Sequence, residues 1–415
     1  MKLRNLLFGT MIACAFVACS NDDDPNPTPT EAPDAYLNIA VNAKIIGSKA
    51  VDGDDNAKTG ETTINNLTIA VFNAATGELI GYRRSTAGKE ADNFTKTGTS
   101  YKFNSPVKTK AVQVKAYVLA NVPDATLSSA KNLGDYEEAL ASLSDQKVGD
   151  GSNGLTMSTT LQTSTNALVA STAANPNLMG EGASVENAVT GCTGDILLQR
   201  VAARVQIGKV YSSTYKGKEQ LAITGVYMFN VRSNSRLLNA ATGSLDFRKD
   251  TEKQLFEAGD ITLAGDLKVA SETLSGNDLL KVDYTQAVVI DSKTNSEGTG
   301  QTLSKASFYV MANDLLSKDT KSKSAYTLIS VKGKYTSPEG VTMASDRWYT
   351  VIVGLDGAGE GADGRVVRNT VYDVATLDLT GSGSDSPFTP ESAAYLNATV
   401  KITPWSYVIQ NASVD

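Results

Sequence analysis

Ala35-Tyr36-Leu37-Asn38-Ile39-Ala40-Val41-Asn42-Ala43-Lys44-Ile45 repeats with a period of two. Leu37, Ile39, Val41, Ala43 and Ile45 fall on one side of an extended chain, and Asn38, Ala40, Asn42 and Lys44 on the other. Successive side chains of a strand point to opposite faces, so the stretch reads as a half-buried β-strand. The same signature returns at Leu67–Phe72, Val112–Leu119, Ile196–Ile207, Ile223–Val231, Ser307–Met311, Tyr326–Tyr335 and Trp348–Leu355. Clusters of Gly, Asn, Asp and Ser separate these runs, with turns at Asn73–Gly77 and Ala241–Gly243. One helical signal stands out, Asp135–Leu143, with Asp135 as cap, Glu138 at the capping-box position and Tyr136, Leu140 and Leu143 on one face. The class is all-β.

The 415 residues suffice for two or three domains, and 41% hydrophobic against 20% charged residues describes a folded chain. Leu197, Gln199, Val201, Ala203, Val205 and Ile207 form one face of a strand, with Arg200, Arg204 and Gln206 on the other. Polar Tyr211–Gln220 follows. The division expected from this pattern is residues 35–207 and 208–415, two tandem antiparallel β-sandwiches of ordinary domain size. Regular short repeats are absent, which argues against a propeller or solenoid.

Composition removes whole classes of chemistry. The chain has no His, so Ser-His-Asp and Cys-His catalysis and His-ligated zinc are excluded. No cofactor, metal site or catalytic residue is expected. The net charge of −7 becomes −9 once Lys2 and Arg4 leave with a leader, and an acidic surface repels nucleic acid. Gly357–Ala362 superficially matches a dinucleotide loop, but Val366–Leu379 alternates like a strand and offers no helix for a pyrophosphate. Asp52, Asp54 and Asn56 resemble a calcium loop, yet Ala57 and Thr63 stand where its glycine and glutamate are needed. Cys192, near Gly191 and Gly194 with no basic neighbour in sequence, reads as a quiet thiol.

The amino terminus reads as an address. Lys2 and Arg4, the apolar run Leu6–Val17 and the pair Ala18-Cys19 form an export signal, too short for the roughly 20 apolar residues a bilayer requires. Cys19 after Ala18 resembles a bacterial lipoprotein processing site, with Cys19 the lipidated residue. Asp22-Asp23-Asp24 resembles the surface-export signals of Bacteroidetes lipoproteins. Cys14 sits inside the apolar run and lacks the polar follow-on. Residues 1–18 are thus read as a signal peptide, and 19–34, with Pro25, Pro27, Pro29 and Pro33, as an extended tether.

At the other end, Leu396, Ala398, Val400 and Ile402 alternate with Asn397, Thr399, Lys401 and Thr403. Pro404 interrupts, since it lacks a ladder donor. Trp405, Tyr407 and Ile409 then resume the alternation. Such a tail is either the last strand of its own domain or one lent to a neighbour.

Leu67-Thr68-Ile69-Ala70-Val71-Phe72-Asn73, Leu155-Thr156-Met157-Ser158 and Leu198-Gln199-Arg200-Val201-Ala202-Ala203-Arg204-Val205 occur in order along the chain. Arg347-Trp348-Tyr349, Arg368-Asn369-Thr370-Val371-Tyr372, Leu379-Thr380-Gly381-Ser382-Gly383 and the Trp405 tail follow. With these motifs and the lipoprotein start, the chain resembles a Bacteroidales fimbrillin of the FimA-like type, a subunit of type V pili. The resemblance covers the whole mature chain.

It implies two Greek-key, transthyretin-like sandwiches, export as a lipoprotein to the outer membrane, and a place in a surface fimbrium. It further implies cleavage by a trypsin-like protease after the first strand, here at Lys49-Ala50, with Lys58 a second site. Lys49 departs from the Arg best known at that position. Residues 35–49 would then form the removable first strand and its propeptide end. Residues 396–415 would be the donor tail, with Val400, Ile402, Trp405, Tyr407 and Ile409 as its buried side chains. Partners implied are other copies, related fimbrial subunits, the protease, the outer membrane through lipid before cleavage, and host or bacterial surface ligands. An accessory, tip or anchor subunit is the alternative within the family. A surface glycan-binding lipoprotein is the alternative outside it, although it would need an aromatic platform and only Trp348 and Trp405 supply Trp.

Overall fold

The computed structural model describes residues 31–42, 60–61, 63–86, 94–98, 100–148, 152–180, 188–232, 234–238, 255–256, 280–313, 327–354, 364–387 and 396–404. For 255–256 and 396–404 it describes the backbone alone. Cys19, Lys49, Ala50, Lys58, Trp405, Tyr407 and Ile409 lie outside the described residues, as do the Ala241–Gly243 turn and the two discounted loops, Asp52–Asn56 and Gly357–Ala362.

The first half contributes β1 (Asp34–Asn42), β2 (Asn66–Asn73), β3 (Leu79–Thr86), β4 (Phe94–Thr97), β5 (Ser100–Phe103), β6 (Val107–Lys110) and β7 (Val114–Ala120). Helix α1 (Leu133–Glu138) follows, then β8 (Leu140–Ser142), β9 (Met157–Ser158), β10 (Gln162–Thr163), β11 (Asn177–Met179) and β12 (Gln199–Arg200). One sheet runs β11-β1-β5-β4 with β6 also on β1, and a second runs β12-β9-β7-β2-β3 with β10 on β7. Leu37, Ile39 and Val41 of β1 meet Leu67, Ile69 and Val71 of β2 and Ala116 and Val118 of β7 in a core between them.

The second half adds β13 (Ala202–Tyr211), β14 (Gln220–Phe229), β15 (Val231–Arg232), β16 (Asn234–Arg236), β17 (Leu255–Phe256) and β18 (Lys281–Asp291). It ends with β19 (Gln301–Thr302), β20 (Ser307–Met311), β21 (Leu328–Thr336), β22 (Arg347–Ile352), β23 (Thr370–Leu379) and β24 (Leu396–Pro404). Its main sheets are β19-β13-β23-β24, with β20 on β13, and β18-β14-β21-β22. The all-β class holds: α1 is the one α-helix among the described residues, and no described helix is long and apolar enough to cross a membrane.

Four expectations change. The run Ile196–Ile207 is not one strand: Gln199 and Arg200 pair with β9, whereas Ala202–Tyr211 pairs with β20 and β23. Pairing therefore changes halves at Val201, not after Ile207. Alternation continues smoothly through this point and so carries no trace of a change of partner. Secondly, pairing is not purely antiparallel, because β1–β11 and β13–β23 are parallel. Thirdly, β1 is buried on both faces rather than one. Asn38 and Asn42 are 5% and 2% exposed, and their Nδ2 groups donate to the Phe103 carbonyl at 3.0 Å and the Asp195 carboxylate at 3.2 Å. Fourthly, α1 is capped three residues earlier than expected. Asn132 is its cap and Asp135 the N3 partner of a capping box, while Leu140 and Leu143 lie beyond the helix.

The halves also share apolar contacts. Ala70 and Phe72, on the face of β2 turned away from β1, join Tyr136, Leu143 and the second-half core around Val205, Tyr227 and Tyr349 in one continuous cluster.

Candidate assembly site

Two features expected to matter, the first strand and the tail, occupy opposite situations in their sheets. β1 is central. Its Asp34–Leu37 segment pairs with β6 and its Ala40–Asn42 segment with β5, while Leu37–Ile39 pair with β11 on the other side. Ala35, Leu37, Ile39 and Val41 are each fully buried. A strand held this way leaves an apolar slot and unpaired ladder groups when it departs.

Several contacts seat β1 from outside its ladder. Tyr36 donates its amide to Ser171 Oγ at 2.9 Å, and Asn177 Nδ2 donates to the Tyr36 carbonyl at 3.0 Å. At the solvent end, Asp34 pairs with Lys108 at 2.7 Å and Lys110 at 3.1 Å, and those hydrogen bonds hold its carboxyl below the usual range. Such exposed pairs contribute little to stability. Gly180, at φ +89°, approaches the back of β1 so closely that a Cβ would overlap the Ala40 carbonyl. Gly180→Ala is therefore expected to cost on the order of 1–3 kcal/mol and to loosen β1 first. A lowered urea midpoint together with faster amide exchange in residues 35–42 would register both effects.

β24 is an edge strand. Among the described residues it pairs with β23 alone, antiparallel, Val400 opposite Val374 and Ile402 opposite Tyr372, and the ladder runs to Pro404 opposite Thr370. Val400 and Ile402, expected in the donated strand, thus pair within their own chain. The physical reason is that apolar alternation suits a resident edge strand as well as a lent one. The later half of the expected donor, Trp405, Tyr407 and Ile409, lies outside the described residues.

Between the segment that follows β1 and the second half lies a buried ionic cluster. Glu61 is fully buried. Arg204 Nη1 of β13 reaches its Oε2 at 2.7 Å, Tyr309 of β20 donates to its Oε1 at 2.8 Å, and Arg200 Nε and Nη2 donate to its carbonyl at 3.3 and 3.2 Å. Burial, and then the adjacent Glu61 charge, push the Tyr309 phenol well above its ordinary pKa. Arg200 and Arg204, assigned by alternation to the polar face, are 2% and 1% exposed. Nearby, Arg368 Nη2 donates to Ser158 Oγ at 3.0 Å and to the Leu237 carbonyl at 3.2 Å, and burial pulls its pKa down to about 10. Asn121, at φ 60°, fastens the stretch between Glu61 and β2. Its Oδ1 accepts from Asn65 at 2.8 Å, and its Nδ2 donates to the Thr63 carbonyl at 2.8 Å. Sequence reasoning missed Glu61, Ser171 and Asn177; a lone acid between strands, and a polar pair of which one member opens the three-residue β11, carry no local signal.

Cys192 is buried, its thiol pushed up by that burial, with Sγ 3.4 Å from the Thr163 carbonyl. Among the described residues no group of three His, Cys, Asp or Glu is placed to hold a metal ion.

Comparison with known proteins fits this architecture. Residues 35–198 match the family model described as major fimbrial subunit protein (FimA). The chain is 28% identical over 433 aligned positions to the "Putative fimbrium tip subunit Fim1C" of Parabacteroides distasonis, covering 100% of this chain and 99% of that protein. A 74-residue stretch is 39% identical to the major fimbrium subunit FimA type-4 of Porphyromonas gingivalis, 16% of this chain and 19% of that one. The crystal structure of a fimbrilin (FimA) from Porphyromonas gingivalis W83 superposes with a TM-score of 0.60 at 18% identity, over 90% of this chain and 99% of that one, a likeness of fold. The chain is thus similar in sequence to Bacteroidales fimbrial proteins and in fold to a fimbrilin, and residues 35–198 carry the match to the FimA fimbrial-subunit family.

Proposed function

We propose that this protein is a structural subunit of a cell-surface pilus, exported as a lipoprotein through Cys19, cut at Lys49-Ala50, and polymerised by strand exchange. The observation that carries the reading is the position of β1: a central strand, buried on both faces, at the amino end of the sheeted chain. Cutting in the stretch between Asn42 and Gly60 frees this strand from the rest of the polypeptide. Its departure would uncover the core of Leu67, Ile69, Val71 and Val118 and leave β11, β5 and β6 without their partner. A strand from another copy fills the vacancy, its main chain completing the ladder and its alternate side chains the core.

With Leu396–Pro404 engaged as β24, the portion to be lent is the stretch after Pro404, with Trp405, Tyr407 and Ile409 as the inserted side chains. Val400 and Ile402 then hold the root of that tail in its own molecule. Each donor tail meets the groove of the next subunit, a head-to-tail contact that does not close and so extends into a filament. Mass spectrometry of the amino terminus of surface-assembled protein tests the processing step. Ala50 is expected; a lipidated Cys19 in the polymer would overturn the cleavage and favour an anchor subunit.

A tip subunit is the second reading, favoured by the name of the full-length relative from Parabacteroides distasonis. Immunogold labelling separates the two: label along whole fibres fits the shaft, and label confined to fibre ends fits the tip.

A further inference from the structure

We propose that Ser171 and Asn177 form a main-chain pin that holds whichever strand occupies the β1 position and excludes a proline from the place of residue 36. The inference rests on the strand-exchange reading for its second occupant, the stretch after Pro404 of another copy.

The pin grips both polar groups of a single peptide residue. The Tyr36 amide donates to Ser171 Oγ at 2.9 Å, and the Tyr36 carbonyl accepts from Ser171 Oγ at 3.3 Å and from Asn177 Nδ2 at 3.0 Å. Both are side-chain groups rather than main-chain ladder bonds, with Asn177 standing in β11 opposite Leu37. Asn177 is 7% exposed and held from behind, its Oδ1 accepting from the Val169 amide at 3.0 Å and its Nδ2 donating to the Val169 carbonyl at 2.8 Å. Asn177 Nδ2 also lies 3.0 Å from Ser171 Oγ, which ties the two side chains together.

Such a device reads backbone and ignores side-chain identity. It suits a groove that must hold first its own strand and later one of different sequence. Alternating apolar pockets leave a choice between registers two residues apart, because each such slip keeps the same face inward. A fixed donor and acceptor at position 36 meets the same main-chain groups after such a slip, so it rejects only a register that places proline there.

The requirement also has a consequence for the incoming tail. The 11 residues after Pro404 are enough to span the nine of β1. If Trp405, Tyr407 and Ile409 took the places of Leu37, Ile39 and Val41 in the same direction, Pro404 would fall on the pin. Proline has no N–H to offer Ser171. That register is excluded, and the residue seated at the pin is one with a free amide.

The test uses full-length protein nicked with trypsin in the loop after β1. In Ser171→Ala/Asn177→Ala, the β1 fragment is expected to leave at least about ten-fold faster than from the parent, a difference of 1.4 kcal/mol. Equal release rates, with unchanged urea midpoints for the uncut proteins, would overturn the pin. Synthetic peptides of residues 34–46 give a second readout: Tyr36→Ala should rebind the emptied groove like the parent, and Tyr36→Pro at least about ten-fold more weakly. Equal rebinding by the two peptides would count against backbone reading. Should the nicked protein hold its fragment too firmly, exchange of the Tyr36 amide in the uncut chain decides: Ser171→Ala speeds it, or the pin is wrong. Failure of the parent to accept a tail from a second copy would sink strand exchange alone, since fragment release and amide exchange still judge the pin.

Discussion

Glu61→Ala is expected to lower the free energy of unfolding by about 3–5 kcal/mol, the usual cost of removing one partner from a buried ion pair. The change leaves Arg204, 1% exposed, without the carboxylate it meets at 2.7 Å, and removes the acceptor of the Tyr309 hydroxyl. Removing one partner of a buried pair leaves the other charge desolvated, and that is the source of the cost. Glu61→Gln keeps the shape and the Tyr309 acceptor but loses the charge, so it should fall between parent and alanine. Urea unfolding at equal m-value measures the difference. A loss below about 1 kcal/mol for alanine would mean that the cluster does not hold the halves together. On the proposed processing, a cut upstream would free β1 while the stretch leading into β2, with Glu61 clasped by β13 and β20, would stay fixed.

Removing residues 405–415 should abolish polymerisation and leave the fold nearly intact. Polymer yield on the cell surface is expected to fall to background, while the truncated protein is expected to unfold within about 1 kcal/mol of the parent. Removing 396–415 takes β24 as well and strips β23 of its antiparallel partner along Thr370–Leu379. Tyr372, Val374, Leu377 and Leu379 lie in the core beneath that pair. The longer truncation should therefore lose stability as well as assembly, and each kcal/mol lost appears as roughly 2–4 °C in Tm for a domain of this size. Undiminished high-mass ladders from the shorter truncation would count against the tail as donor. Equal stability of the two truncations would show that β24 is not integral to its sheet.

Much of the architecture was legible because strand alternation is a local property. Ser307–Met311 was bounded to the residue, and the Leu67–Phe72 and Val112–Leu119 runs lie within two residues of β2 and β7. The turn at Asn73–Gly77 was legible for the same reason: Asn73 Oδ1 accepts from Ala75 at 2.9 Å, and Gly77 takes φ +74°. What failed were inferences about faces and partners. Asn38 and Asn42 looked like a solvent side, yet Phe103 and Asp195, 65 and 153 residues away, receive them in the interior. Arg200 and Arg204 looked equally exposed, and it is Glu61, 139 and 143 residues earlier, that lets them be buried.

The sequence by itself determined the all-β class, the succession of strands, the absence of histidine chemistry and the strand-like tail, since each depends on residue type and a two-residue period. Only the tertiary structure decided that β1 is central and buried on both faces, that the partner changes at Val201, that Leu396–Pro404 stays in its own sheet, and that Ser171, Asn177 and Glu61 matter. Those outcomes depend on which distant segments meet. A periodic pattern records how a strand presents its side chains, and it holds no information about the backbone that pairs beside it.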